Sequence, residues 1–486
     1  MFLEPATWTG NVYLGGAWKP GSGGVIDVRE PATGSVLGQV GQANAADVHT
    51  AAEYAVTAQR EWAARPHTER AAVLRKAAQL WAEHAEEISR WNVREVGAVP
   101  GMAGFALHVA EQECYEAAAL PSHAYGELIP SEEPRLSMAR RVPAGVVGVI
   151  SPFNVPIILG IRSVAPALAL GNAVILKPDP RTAVTGGVVL ARIFEEAGLP
   201  PGVLQMLPGG ADVGEALVTD PAVRIISFTG STPAGRRVGE LAGKHLKRAH
   251  LELGGNSALI VLDDADIDAA VNLAAWGSFF HQGQICMTTG RHLVAERIYG
   301  DFVDALTAKA EQLPVGDPAA GEVALGPLID EGQRDKVHAL VTASVDAGAA
   351  LKTGGTFEGL CYRPTVLSEV TEAAPAFRAE IFGPVAPVTR FGDLDEAVRV
   401  ATASEYGLSL GIVTRDPLRG LALADRIPSG IVHINDQTVN DEANVPFGGV
   451  AASGTGSRFG GPAANIEAFT ETRWVTMRSL PPTYPF

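Results

Sequence analysis

Cys286 is the residue of this sequence whose type and setting most directly suggest chemistry. It lies in the segment HQGQICMTTG (281–290), a polar stretch with a glycine on either side of the cysteine. A free cysteine is most often a small buried hydrophobic residue, and its thiolate is a strong nucleophile only in particular surroundings. His281 stands five residues earlier and could act as an activating base, which is the pattern of a Cys–His hydrolase. A lone histidine beside a loop is more often structural.

The elements that must position Cys286 follow an alternating pattern of strands and helices. Residues 47–92 have the apolar spacing of helices, interrupted at Pro66, and short β-branched runs alternate with helical segments from residue 144 onward. A second alternation begins at Ser257 and continues to GIVHIN near residue 435. This pattern predicts two α/β units, each with a parallel sheet covered by helices.

Polar or glycine-rich segments follow the predicted strands of the first sheet. In an open parallel sheet, ligands bind beyond the carboxyl ends of the strands, so we expect these segments to converge on one crevice. GSTPAG (230–235) resembles the start of a phosphate-binding loop, but Arg236 and Arg237 follow where Lys-Ser/Thr is required. Each glycine cluster alone is typical of a turn. The segments are SPFN (151–154), KPDP (177–180), PGGADVG (208–214), FTGS (228–231) and ELGG (252–255).

Composition excludes several classes of protein. The 486 residues are 47% hydrophobic and 19% charged, which predicts an ordered globular chain of two or three domains. A net charge of -16 without a cluster of basic residues argues against nucleic-acid binding. Three cysteines cannot form a disulfide framework, and their spacing does not suggest a metal site. We therefore expect a cytoplasmic protein without a bound metal.

Residues 142–161 form an uncharged stretch that invites a membrane interpretation. Pro143, Pro152 and Pro156 would break a spanning helix and leave backbone groups unpaired in lipid. We predict a buried strand that runs into a loop. The N-terminal segment lacks a basic region followed by an apolar one, so neither a signal peptide nor membrane association is expected.

Seven segments occur in a specific order between residues 151 and 454: SPFNVP, GNAVILKP, FTGST, LELGGNSA, GQIC, EIFGPV and PFGGVAASG. In this combination the whole chain resembles the aldehyde dehydrogenase superfamily. The local forms HQGQICM, KPDPRT and SGTGSRFGGPA are most similar to the bacterial benzaldehyde and vanillin dehydrogenases.

The resemblance implies a particular α/β fold. It consists of a Rossmann-type NAD(P)-binding domain, a second α/β catalytic domain and a small β-extension used for oligomerisation. The implied boundaries are 1–125 and 144–252 for the cofactor domain, 253–465 for the catalytic domain, and 126–143 with 466–486 for the oligomerisation strands.

The resemblance also implies the reaction, which is oxidation of an aldehyde to the carboxylic acid with NAD or NADP. Cys286 would attack the carbonyl carbon, a hydride would pass to the nicotinamide, and water would hydrolyse the resulting thioester. Asn154 and the backbone N–H of Cys286 match the family's oxyanion donors. Glu252 matches its general base, and the presence of this residue favours water over coenzyme A as the acyl acceptor.

For the dinucleotide, the resemblance assigns residues to three regions. Lys177 would bind the adenosine ribose, Gly210 and Ser231 would surround the pyrophosphate, and Glu380 with Phe382 would contact the nicotinamide ribose and ring. The other implied cofactor-binding residues are Ser151, Pro152, Phe153, Pro180, Phe228, Gly230, Leu253, Gln333 and Lys336.

Two positions depart from the family pattern. NAD-preferring relatives often carry a glutamate where this chain has Pro180, and Arg181 follows it. Loss of a carboxylate removes repulsion against a 2′-phosphate, and an arginine could pair with one, so NADP could be accepted or even preferred. At Ala451 many relatives have a lysine, so any role of that lysine is in doubt here.

Val155, Ile158, Ile285 and Met287 adjoin the implied catalytic positions and predict an apolar substrate pocket. Such a pocket suits an aromatic aldehyde better than a charged semialdehyde, for which a nearby arginine is expected. Arg162 is a possible arginine of that kind, so an aliphatic aldehyde or a semialdehyde remains an alternative substrate.

Two further expectations concern the whole protein. A binding protein that kept the fold but lost catalysis would have no need of Asn154, Glu252 and Cys286 together, which argues against that alternative. The strand-like tail TETRWVTM (470–477) would be an aggregation liability if left unpaired. We therefore expect a homodimer or a homotetramer, with a small-molecule aldehyde as the other binding partner.

Overall fold

The computed structural model describes residues 1–485. Its strands are β1 (Asn11–Leu14), β2 (Ala17–Pro20), β3 (Gly24–Arg29), β4 (Val36–Gln42), β5 (Gly126–Leu128), β6 (Leu136–Pro143), β7 (Val146–Ile150), β8 (Ala173–Lys177), β9 (Leu204–Met206), β10 (Val223–Thr229), β11 (Arg248–Glu252), β12 (Ser257–Val261), β13 (Thr289–Ala295), β14 (Ala350–Thr353), β15 (Phe357–Glu358), β16 (Cys361–Tyr362), β17 (Thr365–Ser368), β18 (Val385–Phe391), β19 (Tyr406–Gly407), β20 (Ser409–Val413), β21 (Ile431–Ile434), β22 (Val450–Ala451) and β23 (Thr470–Met477).

The α-helices of the same residues are α1 (Pro5–Trp8), α2 (Ala45–Ala64), α3 (His67–Glu83), α4 (Ala85–Trp91), α5 (Pro100–Ala119), α6 (Pro156–Ala169), α7 (Val189–Glu196), α8 (Ala211–Thr219), α9 (Thr232–Lys244), α10 (Ile267–Phe279), α11 (Tyr299–Glu311), α12 (Glu331–Asp346), α13 (Pro375–Arg378), α14 (Leu394–Thr402), α15 (Pro417–Ala424) and α16 (Pro462–Phe469). None of these helices combines the length and the apolar composition needed to cross a bilayer.

The first large sheet has the strand order β11-β10-β7-β8-β9-β1-β2. Strands β11, β10, β7, β8 and β9 run parallel, and β1 joins β9 and β2 in antiparallel fashion. Both β7 and β8 are buried at every residue, which explains why they read as continuous apolar runs rather than alternating ones. The loops that follow the five parallel strands open at one edge of the sheet, as predicted.

The second large sheet has the order β14-β17-β18-β13-β12-β20-β21. Its strands are parallel except for β14, which is antiparallel to β17. Each large sheet contributes to an extensive apolar core of its own. The predicted α/β fold with two parallel sheets is thereby confirmed.

A third sheet of three antiparallel strands has the order β23-β6-β5. Strand β23 pairs with β6 over its whole length, from Thr470 opposite Pro143 to Met477 opposite Leu136. The tail was expected to be exposed or paired with a partner subunit, but on one side it is paired with β6 of the same chain. It forms the outer strand of this sheet, and the Trp474 residue is 66% exposed.

The helical prediction for residues 47–92 is confirmed, with a break at the expected proline. Asn44 caps α2 by accepting hydrogen bonds from the backbone of Ala46 and Asp47. The helix ends at Ala64, directly before the Arg65-Pro66 pair, because a residue that precedes proline disfavours helical dihedrals.

The prediction for residues 142–161 is wrong only from Pro156 onward, since residues 151–155 form the expected loop. The buried strand is present at Val146–Ile150, but residues from Pro156 onward form α6 rather than a loop. Proline disrupts a helix interior yet is favoured at the first helical position, where its missing N–H is not needed. Pro156 occupies that position.

Candidate active site

Cys286 stands where two cavities meet. One cavity has a volume of about 730 Å³ and is mainly apolar, and the other, of about 690 Å³, lies at the carboxyl edge of the first sheet. Asn154, Leu159 and Cys286 line both cavities. The sulfur-bearing residue therefore contacts both a space for an apolar molecule and a separate elongated cleft.

A strained turn places Cys286 at this junction. His281 and Gln282 both have left-handed backbone dihedrals, with φ of 52° and 56°. Such values are uncommon for residues other than glycine and are maintained only when the surroundings impose them. The Gln282 side chain donates hydrogen bonds to the carbonyls of Gly97 and Pro327, at 2.9 and 3.0 Å. These bonds help to hold the turn against its strain.

Asn154 is linked to the same turn through two hydrogen bonds. Its side-chain Nδ2 donates to the backbone carbonyl of Gln284 at 2.8 Å, and its own carbonyl accepts a bond of 2.7 Å from Nε2 of His281. Asn154 is buried. An amide N–H is thereby held close to the cysteine, in a setting suited to oxyanion stabilisation.

The His281 contact bears on the Cys–His hydrolase alternative. The bond to the Asn154 carbonyl requires a proton on Nε2, so this nitrogen acts as a donor and not as a base toward the thiol. Burial lowers the pKa of His281, which keeps the ring neutral. His281 is therefore a structural anchor of the turn.

Burial and neighbouring carboxylates favour the protonated form of the Cys286 thiol by raising its pKa. Burial raises its pKa most, and the carboxylates of Glu380 and Glu252 raise it further. Since the thiolate is the nucleophilic form, solvent or a neighbouring group must accept the proton when the sulfur attacks.

Glu252 ends β11 at the edge of the same space. Burial raises its pKa well above the ordinary value, and the charge of Arg458 opposes that rise. No side chain among residues 1–485 donates a hydrogen bond to either carboxylate oxygen, and the backbone of Gly449 is the one donor close enough to lower the pKa. A buried carboxylate with so few donors and with a raised pKa is suited to removing a proton near neutral pH.

The elongated cleft brings together the predicted cofactor-binding residues from both halves of the chain. Those on the side of the first sheet come from the carboxyl ends of its parallel strands and the loops after them, and the others come from the second half of the chain. The residues lining the cleft are Ser151, Pro152, Phe153, Lys177, Pro180, Gly210, Phe228, Gly230, Ser231, Leu253, Gln333, Lys336, Glu380 and Phe382.

The shape and charge of this cleft fit a dinucleotide. Helices α8 and α9 begin directly after Gly210 and Ser231, so two positive helix ends open onto the cleft, as a pyrophosphate requires. Burial lowers the pKa of Lys177. A β-carbon on Gly254 would lie 2.6 Å from Oε2 of Glu380, so only glycine allows this carboxylate its position.

The structure alters the expectation for Arg181. Its guanidinium is held by Asp179 at 2.9 Å and by Asp330 at 2.8 Å, and it lies 4.0 Å from the centre of the Phe153 ring. Two carboxylates therefore already compensate the charge that was considered for a 2′-phosphate. Asp179 itself lines the cleft, beside Pro180.

The apolar cavity contains all four predicted pocket residues, Val155, Ile158, Ile285 and Met287. Sequence reasoning missed several other residues of its wall. On α10 and after it, Trp276 and Phe280 stack with ring centres 4.2 Å apart, and Trp276 is 49% exposed. Other large apolar residues that were missed include Met102, Phe105, Phe279, Val439 and Phe447.

Comparisons with known proteins agree with this geometry. A model of the aldehyde dehydrogenase family matches residues 18–475. The chain is 68% identical to a vanillin dehydrogenase of Amycolatopsis sp. over 485 residues, covering 100% of both chains. It is 51% identical to a benzaldehyde dehydrogenase [NAD(+)] of Pseudomonas putida, with 99% of each chain covered. A salicylaldehyde dehydrogenase from Pseudomonas putida G7, solved with salicylaldehyde, superimposes with a TM-score of 0.94 at 37% identity, covering 98% of this chain and 99% of that one.

Proposed function

The chain belongs to the aldehyde dehydrogenase family, and on that premise we propose that it oxidises aromatic aldehydes to carboxylic acids with NAD or NADP. The single observation that carries the proposal is the position of Cys286, which lines both an apolar cavity and a cleft fitted to a dinucleotide. The same junction holds the Asn154 amide.

In the proposed reaction the Cys286 thiol gives up its proton to solvent as the sulfur attacks the carbonyl carbon, and the aldehyde oxygen becomes an alkoxide. The Asn154 Nδ2 and the Cys286 backbone N–H donate hydrogen bonds to that oxygen, and loss of one such donor typically costs about 10²- to 10³-fold in rate. When bound, the nicotinamide cofactor supplies the acceptor for the hydride that leaves the carbon. An acyl group then remains on the sulfur as a thioester.

Glu252 completes the proposed reaction by accepting a proton from the water that attacks the thioester. The carbon–sulfur bond breaks, the carboxylic acid leaves, and a proton returns to the sulfur. The absence of a side-chain donor on either Glu252 oxygen supports this role, since a carboxylate engaged by several donors would be a weaker base.

The walls of the substrate cavity support an aromatic substrate. Trp276, Phe280 and Phe447 line it, and flat aromatic rings pack well against such side chains in stacked or edge-to-face arrangements. Relatives named for vanillin, benzaldehyde and salicylaldehyde support the same substrate class.

We also propose the organisation of the protein. Residues 1–125 and 144–252 would bind the cofactor, 253–465 would form the catalytic part, and 126–143 with 466–486 would join subunits of a homodimer or homotetramer. The outer position of β23 supports the last assignment. The three free cysteines support a reducing, cytoplasmic location.

Purified protein incubated with benzaldehyde and NAD or NADP tests the proposed function. We expect absorbance at 340 nm to rise and benzoate to accumulate in equal amount. Vanillin and salicylaldehyde should also react, and hexanal should react with lower kcat/KM. A protein that oxidised hexanal but none of the three aromatic aldehydes would contradict the proposal.

A further inference from the structure

A buried cluster of three charged residues, Glu113, Arg162 and Asp441, lies at the wall of the substrate cavity. Nε of Arg162 donates to Oε1 of Glu113 at 2.9 Å, and Nη2 of Arg162 contacts both oxygens of Asp441 at 2.7 Å. The Arg162 and Glu113 side chains are 4% and 1% exposed, and that of Asp441 is 10% exposed. Arg162 and Asp441 line the cavity that contains Cys286.

The cluster carries more negative than positive groups. Two carboxylates face one guanidinium, so the net charge is −1 when both are ionised. Burial raises the pKa of Glu113 to about 7 and also raises the pKa of Asp441. If one carboxylate is protonated, the net charge is zero. In neither state does the cluster itself present an uncompensated positive charge, and the other cation in the cavity lining is the exposed Lys309.

The geometry of the guanidinium leads to the same conclusion. An arginine recognises a carboxylate with two parallel N–H bonds, and here Nε and Nη2 are already engaged by Glu113 and Asp441. Nη1 has no hydrogen-bond partner within residues 1–485, and the guanidinium lies 4.8 Å from the centre of the Phe447 ring. The two N–H bonds of Nη1 are the part of the guanidinium that remains unpaired, so Arg162 cannot offer an anion the paired Nε and Nη2 donors.

We propose that the Glu113–Arg162–Asp441 cluster is a charge filter that admits neutral ring-substituted aldehydes and rejects aldehydes bearing a carboxylate. The inference rests on the proposed function, because it concerns the same cavity. It also explains why Arg162, although it lines the cavity, is not free to bind the carboxylate of a semialdehyde. A carboxylate moved from water to the part of the cavity beside this cluster would lose hydration and meet a neutral or negative group of side chains.

The wild-type enzyme tests the charge filter with paired substrates of matched shape. These are 4-formylbenzoate against 4-formylbenzamide, and 3-formylbenzoate against 3-formylbenzamide, with benzaldehyde as the reference. We expect kcat/KM for each carboxylate to be about 100-fold or more below that of its amide. Values within threefold would overturn the charge filter while benzaldehyde oxidation still supported the proposed function. Absence of benzaldehyde oxidation would instead refute the proposed function.

Asp441→Asn tests the residue assignment, because it raises the net charge of the cluster by one and replaces one of the two oxygens that engage Nη2 of Arg162 with an amide group that cannot accept a hydrogen bond. We expect the carboxylate-to-amide ratio of kcat/KM to rise at least tenfold. The matched control is Glu442→Gln, which removes the same charge from the adjacent residue outside the cavity lining and should leave the ratio within twofold of wild type. An unchanged ratio in a folded Asp441→Asn variant would overturn the assignment.

Glu113→Gln, with Glu116→Gln as its control on the same helix, repeats the test if Asp441→Asn does not fold. Circular dichroism and thermal unfolding identify folded variants. We expect the ratio to rise in Glu113→Gln and not in Glu116→Gln, and equal ratios in the two would overturn the role of the cluster. The wild-type comparison decides the charge filter even where neither variant folds.

Discussion

The ring of His281 and the backbone of Asn154 are joined by a hydrogen bond of 2.7 Å across 127 residues of sequence. The side chain of Asn154 in turn donates a hydrogen bond of 2.8 Å to the backbone carbonyl of Gln284. The loop after β7 and the turn before Cys286 therefore hold each other in place. The amide and the sulfur are positioned before any substrate binds, which is the condition for effective oxyanion stabilisation.

Cys286→Ala should abolish aldehyde oxidation and leave dinucleotide binding nearly intact, because the sulfur forms the covalent bond to substrate and its residue is only one part of a long cleft. We expect kcat to fall to the background level in the 340 nm assay. Isothermal titration calorimetry with NAD should give a Kd within about threefold of wild type. Substantial turnover by the variant would contradict the nucleophilic role.

The pH dependence of turnover should follow Glu252 when deacylation limits the rate. A general base acts only when deprotonated, and burial raises the pKa of Glu252, so kcat should rise with pH over a range well above 4.5. Glu252→Gln should lower steady-state kcat by about 10²- to 10⁴-fold, remove this dependence and preserve a burst of reduced cofactor. Glu380, whose pKa burial raises to about 7, is checked separately with Glu380→Gln. An unchanged kcat in Glu252→Gln would contradict the assignment.

The wild-type enzyme should prefer NAD to NADP, because Asp179 lines the cleft and Arg181 is held by two carboxylates. Asp179→Asn removes a negative charge and one partner of the arginine. We expect the ratio of kcat/KM for NADP to that for NAD to rise at least tenfold. Asp335→Asn is the control, since this exposed residue pairs with Arg334 outside the cleft lining. A wild-type preference for NADP would show that the arginine is free to bind a phosphate.

Gly254→Ala should weaken cofactor binding by displacing Glu380, since the added carbon would lie 2.6 Å from its carboxylate oxygen. We expect KM for NAD to rise about tenfold or more. Gly104→Ala is the control: it lies exposed within α5 and would meet no atom within 4 Å. That change should leave KM unaltered and stabilise the helix by up to about 1 kcal/mol. Equal KM values for NAD in the two variants would contradict the claim that a side chain at position 254 displaces Glu380.

Much of the fold could be predicted from local sequence. Fully buried strands such as β8 read as short apolar runs, and polar residues at their ends mark the edge where the cleft lies. The α6 helix was not predicted, because Pro156 is read as a helix breaker unless the helix start is already known. The strained turn before Cys286 was also not predictable, since neither His281 nor Gln282 favours positive φ.

The residues of the candidate site could be predicted where a single sequence motif indicates their function. They could not be predicted where their function depends on contacts with residues distant in the sequence. Glu113 and Asp441 are ordinary acidic residues in sequence and become significant only because both contact Arg162. The carboxylates that engage Arg181 are likewise 2 and 149 residues away from it. Trp276 follows the helical spacing of α10, which gives no sign that its ring lines a cavity.

The linings of the two cavities share only Asn154, Leu159 and Cys286, so the rest of each wall can change independently of the other. Mutations that reshape the wall around Trp276 can retune which aldehyde is converted without disturbing the choice of redox partner, and changes around Asp179 can do the reverse. A tethered inhibitor with an aromatic head and an adenine nucleotide tail would occupy both compartments at once and gain affinity from each.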